Sequence, residues 1–169
     1  MYKVEFNTNR GKFTVVVNPS LAPKGAERFL DLVKDGFFDN SPIYRIIPAF
    51  IMQFGISLDQ SKKHWHSNTI TDDPNINVKI SKYSLSFAGN GPNSRSTNLF
   101  IAFRTLNWLG KSPWEVPFGK VIEGTEVIDS FQESNHELNQ DQLKNDGDIY
   151  LKNNNFNTID RINSVSIIL

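Results

Sequence analysis

A mainly β domain, a barrel or sandwich with helical caps, is what the sequence predicts. Short stretches with apolar residues at every second position recur along the chain, separated by turns rich in glycine, proline and asparagine. Only two stretches carry the period of a helix. Bulky apolar residues on nearly every strand stretch leave no room for the roomy interior of a lipocalin-like, ligand-enclosing barrel. The length of 169 residues suits one domain with a real core, placed over 1–169.

Taken in order, Tyr2, Val4 and Phe6 alternate with Lys3, Glu5 and Asn7. Phe13, Val15 and Val17 alternate with Lys12, Thr14 and Val16, and Thr8-Asn9-Arg10-Gly11 is a turn signal between the two runs. This is a β-hairpin, not the opening of a signal peptide. Ala26, Phe29, Leu30 and Val33 recur at i, i+3, i+4 and i+7 and predict a helix, with Pro23 in its first turn and Gly36 at its end. Residues 43–54 form two short strands around Pro48 and Ala49, and 57–80 form a long polar surface loop. Residues 84–88 and 98–103 are buried strands joined by "GNGPNSRST", which lacks the spacing, the lysine and the strand-to-helix context of a phosphate loop. A further strand over 117–123 is entered through Pro117, and Thr125 caps a short helix bearing Val127, Ile128 and Phe131. Residues 133–161 read as polar and irregular, and a last strand places Val165, Ile167 and Leu169 on one face.

Composition removes several classes of function. Eighteen basic side chains balance eighteen acidic ones, without the basic excess or stripe of a nucleic-acid binder. The absence of cysteine excludes disulfides and thiol catalysis and fits a reducing compartment, so a cytoplasmic location is expected. No apolar run is long enough to span a bilayer, so no membrane partner is expected. In "HWH" at 64–66, His64 and His66 would share one face of an extended chain. A metal site needs three or four ligands, and His136, the third histidine, is far along the sequence; no metal and no cofactor are expected. Asp72-Asp73 reads as loop charge.

The unusual feature is "YRIIPAFIMQFG", residues 44–55, where Arg45 sits among Ile46, Ile47, Phe50, Ile51 and Met52. One reading is an edge-strand residue whose stem packs while its head reaches water. The other is a cation held at the lip of an apolar pocket, which is costly unless the charge is paired or hydrogen-bonded. Gln53 lies eight residues on, across the Pro48 turn, where its amide oxygen could orient the guanidinium or simply face solvent. The residues alone leave both readings open.

This stretch resembles the cyclophilin signature F-H-R-x-I-P-x-F-M-x-Q-G-G. "LAPKGAERFLDLVKDGFFDN" resembles the first helix and following turn of that family, and "LSFAGNGPNSRSTNLFIAF" its A-N-x-G-P-N-x-x-G-S-Q-F-F-I segment. "NWL" and "FGKVIEGTEVID" resemble later family elements in the same order, and "YLKNNNFNTID" the tail of a longer-ended subset. The resemblance implies a closed eight-stranded antiparallel β-barrel capped by two α-helices, with a substrate groove on its outer surface. It implies peptidyl-prolyl cis-trans isomerase activity on proline-containing peptides and proteins, by a chain read as a monomer.

Carried over from the family, Arg45 is the catalytic donor, and Gln53 holds it and the substrate backbone. Phe50, Ile51, Phe100 and Leu109 become the walls of a proline slot, and Trp108 stands on its rim. Each of these apolar residues would otherwise pass for ordinary core. Several positions depart from the family. Ile51 replaces methionine, Asn90 stands one place after the usual asparagine, and Asn98 is one methylene shorter than the usual glutamine. The expected histidine before F-G-K falls at Glu115, and Phe54 and Ile56 replace a glycine and an aspartate. These changes are read as altering the groove rim, giving an unusual peptide preference and reduced affinity for cyclosporin, the macrocycle the family binds. The rival reading is a non-catalytic proline-peptide-binding module on the same fold.

Overall fold

Strict alternation builds the first two strands, β1 (Tyr2–Thr8) and β2 (Gly11–Val17), paired antiparallel from Tyr2↔Val17 to Thr8↔Gly11. The computed structural model describes residues 1–74 and 77–168. It continues with α1 (Pro23–Lys34), β3 (Ser41–Pro42), β4 (Arg45–Ile47), β5 (Ile51–Phe54), β6 (Ser84–Phe87), β7 (Leu99–Ala102) and β8 (Gly119–Glu123). Then come α2 (Thr125–Ser130), β9 (His136–Glu137), α3 (Gln140–Asp146), α4 (Asp148–Asn153) and β10 (Arg161–Ile167). Leu169, expected on one face of the last strand with Val165 and Ile167, lies outside the described residues.

The strands form one curled antiparallel sheet in the order β3-β10-β1-β2-β8-β6-β7-β5-β4-β9. The expected closed barrel of eight strands is corrected here: among the described residues the ladder has ten strands and is open. The reason lies in residues 41–47, which change partner midway. Ser41 and Pro42 pair with β10, whereas Arg45–Ile47 pair with β5. Between them the Ile43 amide donates to the Asp160 carbonyl at 2.9 Å and the Tyr44 amide to the Gln53 carbonyl at 3.1 Å. The outer edge of β4 is then taken by β9, which nothing in the sequence pattern announces.

The interior is filled by phenylalanines in ring-to-ring contact. Phe6 lies 4.6 Å from Phe13 and 5.7 Å from Phe54, and Phe29 lies 5.5 Å from Phe118, centroid to centroid. Helix α1 closes this core with Ala26, Phe29, Leu30 and Val33, the predicted face. Its C-terminus is a Schellman turn: Gly36, at φ +69°, donates to the Val33 carbonyl, and Phe37 donates to that of Leu32. Its N-terminus is capped from a distance, because both carboxylate oxygens of Asp73 accept from the Lys24 and Gly25 amides at 2.8 and 2.9 Å. Asp73 also pairs with Arg95 at 2.9 Å, and both side chains are buried. Asp73 is therefore not loop charge; it joins α1 to the 90–97 loop.

Three other expectations need correction. Residues 57–80 are not all irregular, since Gln60–Ser67 form a 3₁₀ helix that carries His64 and His66 and prevents the extended arrangement considered for them. Residues 133–161 hold β9, α3 and α4. Leu138, Leu143, Tyr150 and Leu151 cover Tyr44 and Ile56 in a second buried cluster. Thr125 is the first residue of α2 rather than its cap; Gly124, in the left-handed region at φ +79°, precedes it.

Candidate active site

Alternation along β4, β5 and β7 divides this part of the sheet into two faces. Ile46, Met52, Phe54, Leu99 and Ile101 point into the main core. Ile51, Phe100 and Ala102 point the other way and form a separate cluster with Ile80 and Leu106, against which Phe50, Ala88 and Leu109 pack. The structure thus brings the four slot residues named from the sequence, Phe50, Ile51, Phe100 and Leu109, into one apolar patch on the outer face. Buried apolar side chains outside the main core are what a ligand slot on a sheet surface requires.

Arg45 stands beside this patch. The register aligns one row of residues across five strands: Glu137 on β9, Arg45 on β4, Gln53 on β5, Phe100 on β7 and Ser86 on β6. Cross-strand neighbours of this kind lie within side-chain reach. The Arg45 Nη1 donates to Gln53 Oε1 at 3.0 Å, and Gln53 is itself buried. The Glu137 carboxylate lies 3.2 Å from Arg45 Nε, an ion pair whose geometry is not that of a hydrogen bond. The guanidinium carbon lies 5.9 Å from the Phe50 ring centre, a cation–π distance. Among the described residues no hydrogen bond engages Nη2, so one edge of the fork stays available. Glu137 was missed in the sequence because it lies in a stretch read as irregular.

Trp108 is 53% exposed and stacks on Phe50 with ring centres 6.1 Å apart. Arg104 lies 5.2 Å over the Trp108 ring and donates from Nε to the Ala49 carbonyl at 2.6 Å, tying the rim to the turn after β4. Asn90 is exposed, and its amide donates to Ser94 Oγ at 2.7 Å. Asn98 accepts from the Ala88 amide through its carbonyl, while its side-chain Oδ1 is buried without a partner. Phe54 and Ile56, read as rim changes, are instead buried, the first in the main core and the second under α3. A larger departure is Trp114. A Cβ on Gly89 would meet the Trp114 side chain at 2.8 Å, so the indole lies directly on the 88–90 backbone beside the patch. Glu115 turns back on its own loop and accepts from the Gly110 amide at 3.2 Å. Trp114 is the side chain this loop lays on the Gly89 backbone.

Similarity to known proteins covers most of the chain. A family model described as cyclophilin type peptidyl-prolyl cis-trans isomerase/CLD matches residues 3–152. A peptidyl-prolyl cis-trans isomerase-like 1 of Aspergillus niger is 33% identical over 129 residues, 74% of this chain and 78% of that protein. A peptidyl-prolyl cis-trans isomerase of Streptomyces antibioticus is 30% identical over 139 residues, 78% of this chain and 84% of that one. A crystal structure of a Cryptosporidium parvum cyclophilin type isomerase superposes with a TM-score of 0.74 at 22% identity, over 99% of this chain and 98% of that chain.

Proposed function

The chain belongs to the cyclophilin-type peptidyl-prolyl cis-trans isomerases, and on that premise we propose that it turns Xaa–Pro bonds on the patch beside Arg45, with Arg45 as the catalytic donor. The single observation that supports this most is the state of the guanidinium: fixed at Nη1 by Gln53, flanked at Nε by Glu137, and uncommitted at Nη2.

The chemistry needs no more than that. Rotation about an X–Pro amide breaks conjugation, with a barrier of about 18–20 kcal/mol. As the bond twists, the prolyl nitrogen becomes pyramidal and regains a lone pair that can accept a hydrogen bond. A donor held there stabilises the twisted state far more than either planar isomer, which is the condition for lowering the barrier. Arginine stays charged and presents its N–H groups in a fixed plane. In this reading the proline ring enters the patch of Phe50, Ile51, Phe100 and Leu109, Gln53 steadies Arg45, and Trp108 offers its indole N–H to a carbonyl at the rim. Asn90 and Asn98 flank the segment of substrate next to the ring.

The same proposal takes residues 1–169 as one domain, a cytoplasmic monomer acting on proline-containing peptides and proteins, with neither nucleic acid nor membrane as partner. Cyclosporin binds the same groove with reduced affinity. A protease-coupled assay on short Xaa–Pro peptides, with Xaa varied, tests the site. Turnover that is lost in Arg45→Ala, while peptide binding persists, supports it; wild-type binding without turnover would favour the binding-module reading.

A further inference from the structure

Glu137 belongs to the segment 133–161, whose packing builds a second small core on Tyr44 and Ile56. That core holds β9 against β4, with Leu138 donating its amide to the Tyr44 carbonyl at 2.9 Å and His136 Nε2 lying 2.7 Å from the Ile43 carbonyl. The two-residue strand is thereby anchored on both sides of Glu137. Its register puts Glu137 opposite Arg45, on the flank away from Gln53. The guanidinium is held from two neighbouring strands at two different nitrogens, Nη1 by an amide oxygen and Nε by a carboxylate.

A guanidinium held at one nitrogen can still swing about that contact. The Glu137 carboxylate, 3.2 Å from Nε on the opposite flank, adds an electrostatic pull that limits this swing, and the nitrogen left over is Nη2. We propose that Glu137 is a positioning residue of the isomerase reaction, which fixes the plane of Arg45 so that Nη2 faces the twisting prolyl nitrogen. It does so at some distance from the substrate and with an exposed carboxylate: the side chain is 57% exposed, against 26% for Arg45. The effect is therefore orientation rather than bulk stability, since an exposed pair of this kind contributes little to folding. This inference rests on Arg45 being the donor, and its test separates the two claims.

The test is a double-mutant cycle on short Xaa–Pro peptides, with turnover read by exchange NMR and melting measured beside it. Glu137→Ala is expected to lower kcat by about two- to fivefold with KM and melting temperature unchanged. Glu137→Gln should fall between it and wild type, and Glu137→Asp should recover part of the loss. In the Arg45→Ala background, Glu137→Ala should leave the residual turnover unaltered. If Arg45→Ala is inactive but Glu137→Ala equals or exceeds wild type, the positioning role is wrong and the donor assignment survives. If Glu137→Ala costs the same with or without Arg45, the effect belongs to the folding of β9 and the proposal fails. If Arg45→Ala retains full turnover, the donor assignment itself fails.

Discussion

Arg45 and Gln53 face each other across the β4–β5 pair, with Nη1 donating to Oε1 at 3.0 Å. This contact fills one edge of the guanidinium, whose central carbon lies over the Phe50 ring. Arg45→Ala is expected to reduce kcat/KM by one to two orders of magnitude or more, because a charged donor contributes about 1.5–3 kcal/mol and each 1.36 kcal/mol is tenfold. Arg45→Lys should recover little, as the planar fork is lost. A folded alanine variant with near-wild-type turnover would remove Arg45 from the reaction.

Phe100 is 4% exposed and belongs to the outer cluster rather than the main core. Phe100→Ala should raise KM for proline peptides and also lower stability by about 3–5 kcal/mol, as large-to-small aromatic changes do in packed sites. Thermal melting and peptide titration measured on one sample decide the matter. A lower melting point with unchanged peptide affinity would make Phe100 structural only.

The proposed binding of cyclosporin along the whole groove needs partners on the rim. Trp108 and the apolar patch remain, but Asn98 Oδ1 is turned into a buried position without a partner, and Trp114 covers the 88–90 backbone. Two lost hydrogen bonds at about 1–3 kcal/mol each weaken affinity by about thirty- to twenty-thousand-fold. Calorimetry beside a rim-intact cyclophilin should show this gap, and Trp114→Ala should narrow it. Equal affinities for the two wild-type proteins would contradict the reading of the rim.

The Asp73–Arg95 pair is buried on both sides and also caps α1. Asp73→Ala leaves two amide donors without their acceptor and a buried cation without its counter-charge, with only the Thr71 carbonyl still accepting from Arg95 at 2.7 Å, so unfolding free energy should fall by about 3–5 kcal/mol. Asp73→Asn should cost less, since its amide oxygen still accepts. The 90–97 loop carries Arg95, so hydrogen exchange should rise there and in the first turn of α1 together. Loss of protection in one of them alone would show that the pair does not couple them.

His66 sets a pH dependence. Its Nε2 accepts from the Ser57 amide at 3.3 Å. Burial, and then the charges of Lys144, Lys63 and His64, push its pKa down from 6.5 to about 4. The unfolded chain takes up a proton on this residue as pH falls below about 6.5, whereas the folded chain does so only near 4. Stability is thus full above that window and declines as pH drops through it. Melting temperatures between pH 7.5 and 4.5 should fall in the wild type and fall less in His66→Gln; parallel curves would show that His66 is not the group.

What the sequence made legible was local and periodic. The β1–β2 hairpin and α1 follow from alternation and from the Ala26-Phe29-Leu30-Val33 stripe, because each buries one continuous face. The Arg45–Gln53 contact follows from eight residues folded about Pro48. The open ladder does not, because a strand that changes partner at Ile43 and Tyr44 has the same composition as one that does not. Asp73 gave no signal either, since the helix it caps begins 50 positions earlier in the numbering. In 133–161 the apolar residues are sparse, and they form a cluster only together with Tyr44 and Ile56, which lie about 90 positions earlier. One local cue was present: Asn139 followed three residues later by Gln142, whose amide it accepts at 3.0 Å at the start of α3.

The pairing of β1 with β10, from Val4↔Ile167 to Thr8↔Ile162, has a bearing on how the protein is made. Residues 2–8 can join β2 within a few residues of being made. Their second neighbour, residues 162–167, is synthesised far later. In the interval β1 keeps one uncovered strand edge and carries the apolar side chains of Val4 and Phe6, the arrangement that invites pairing with other chains. Only the arrival of β10 covers that edge.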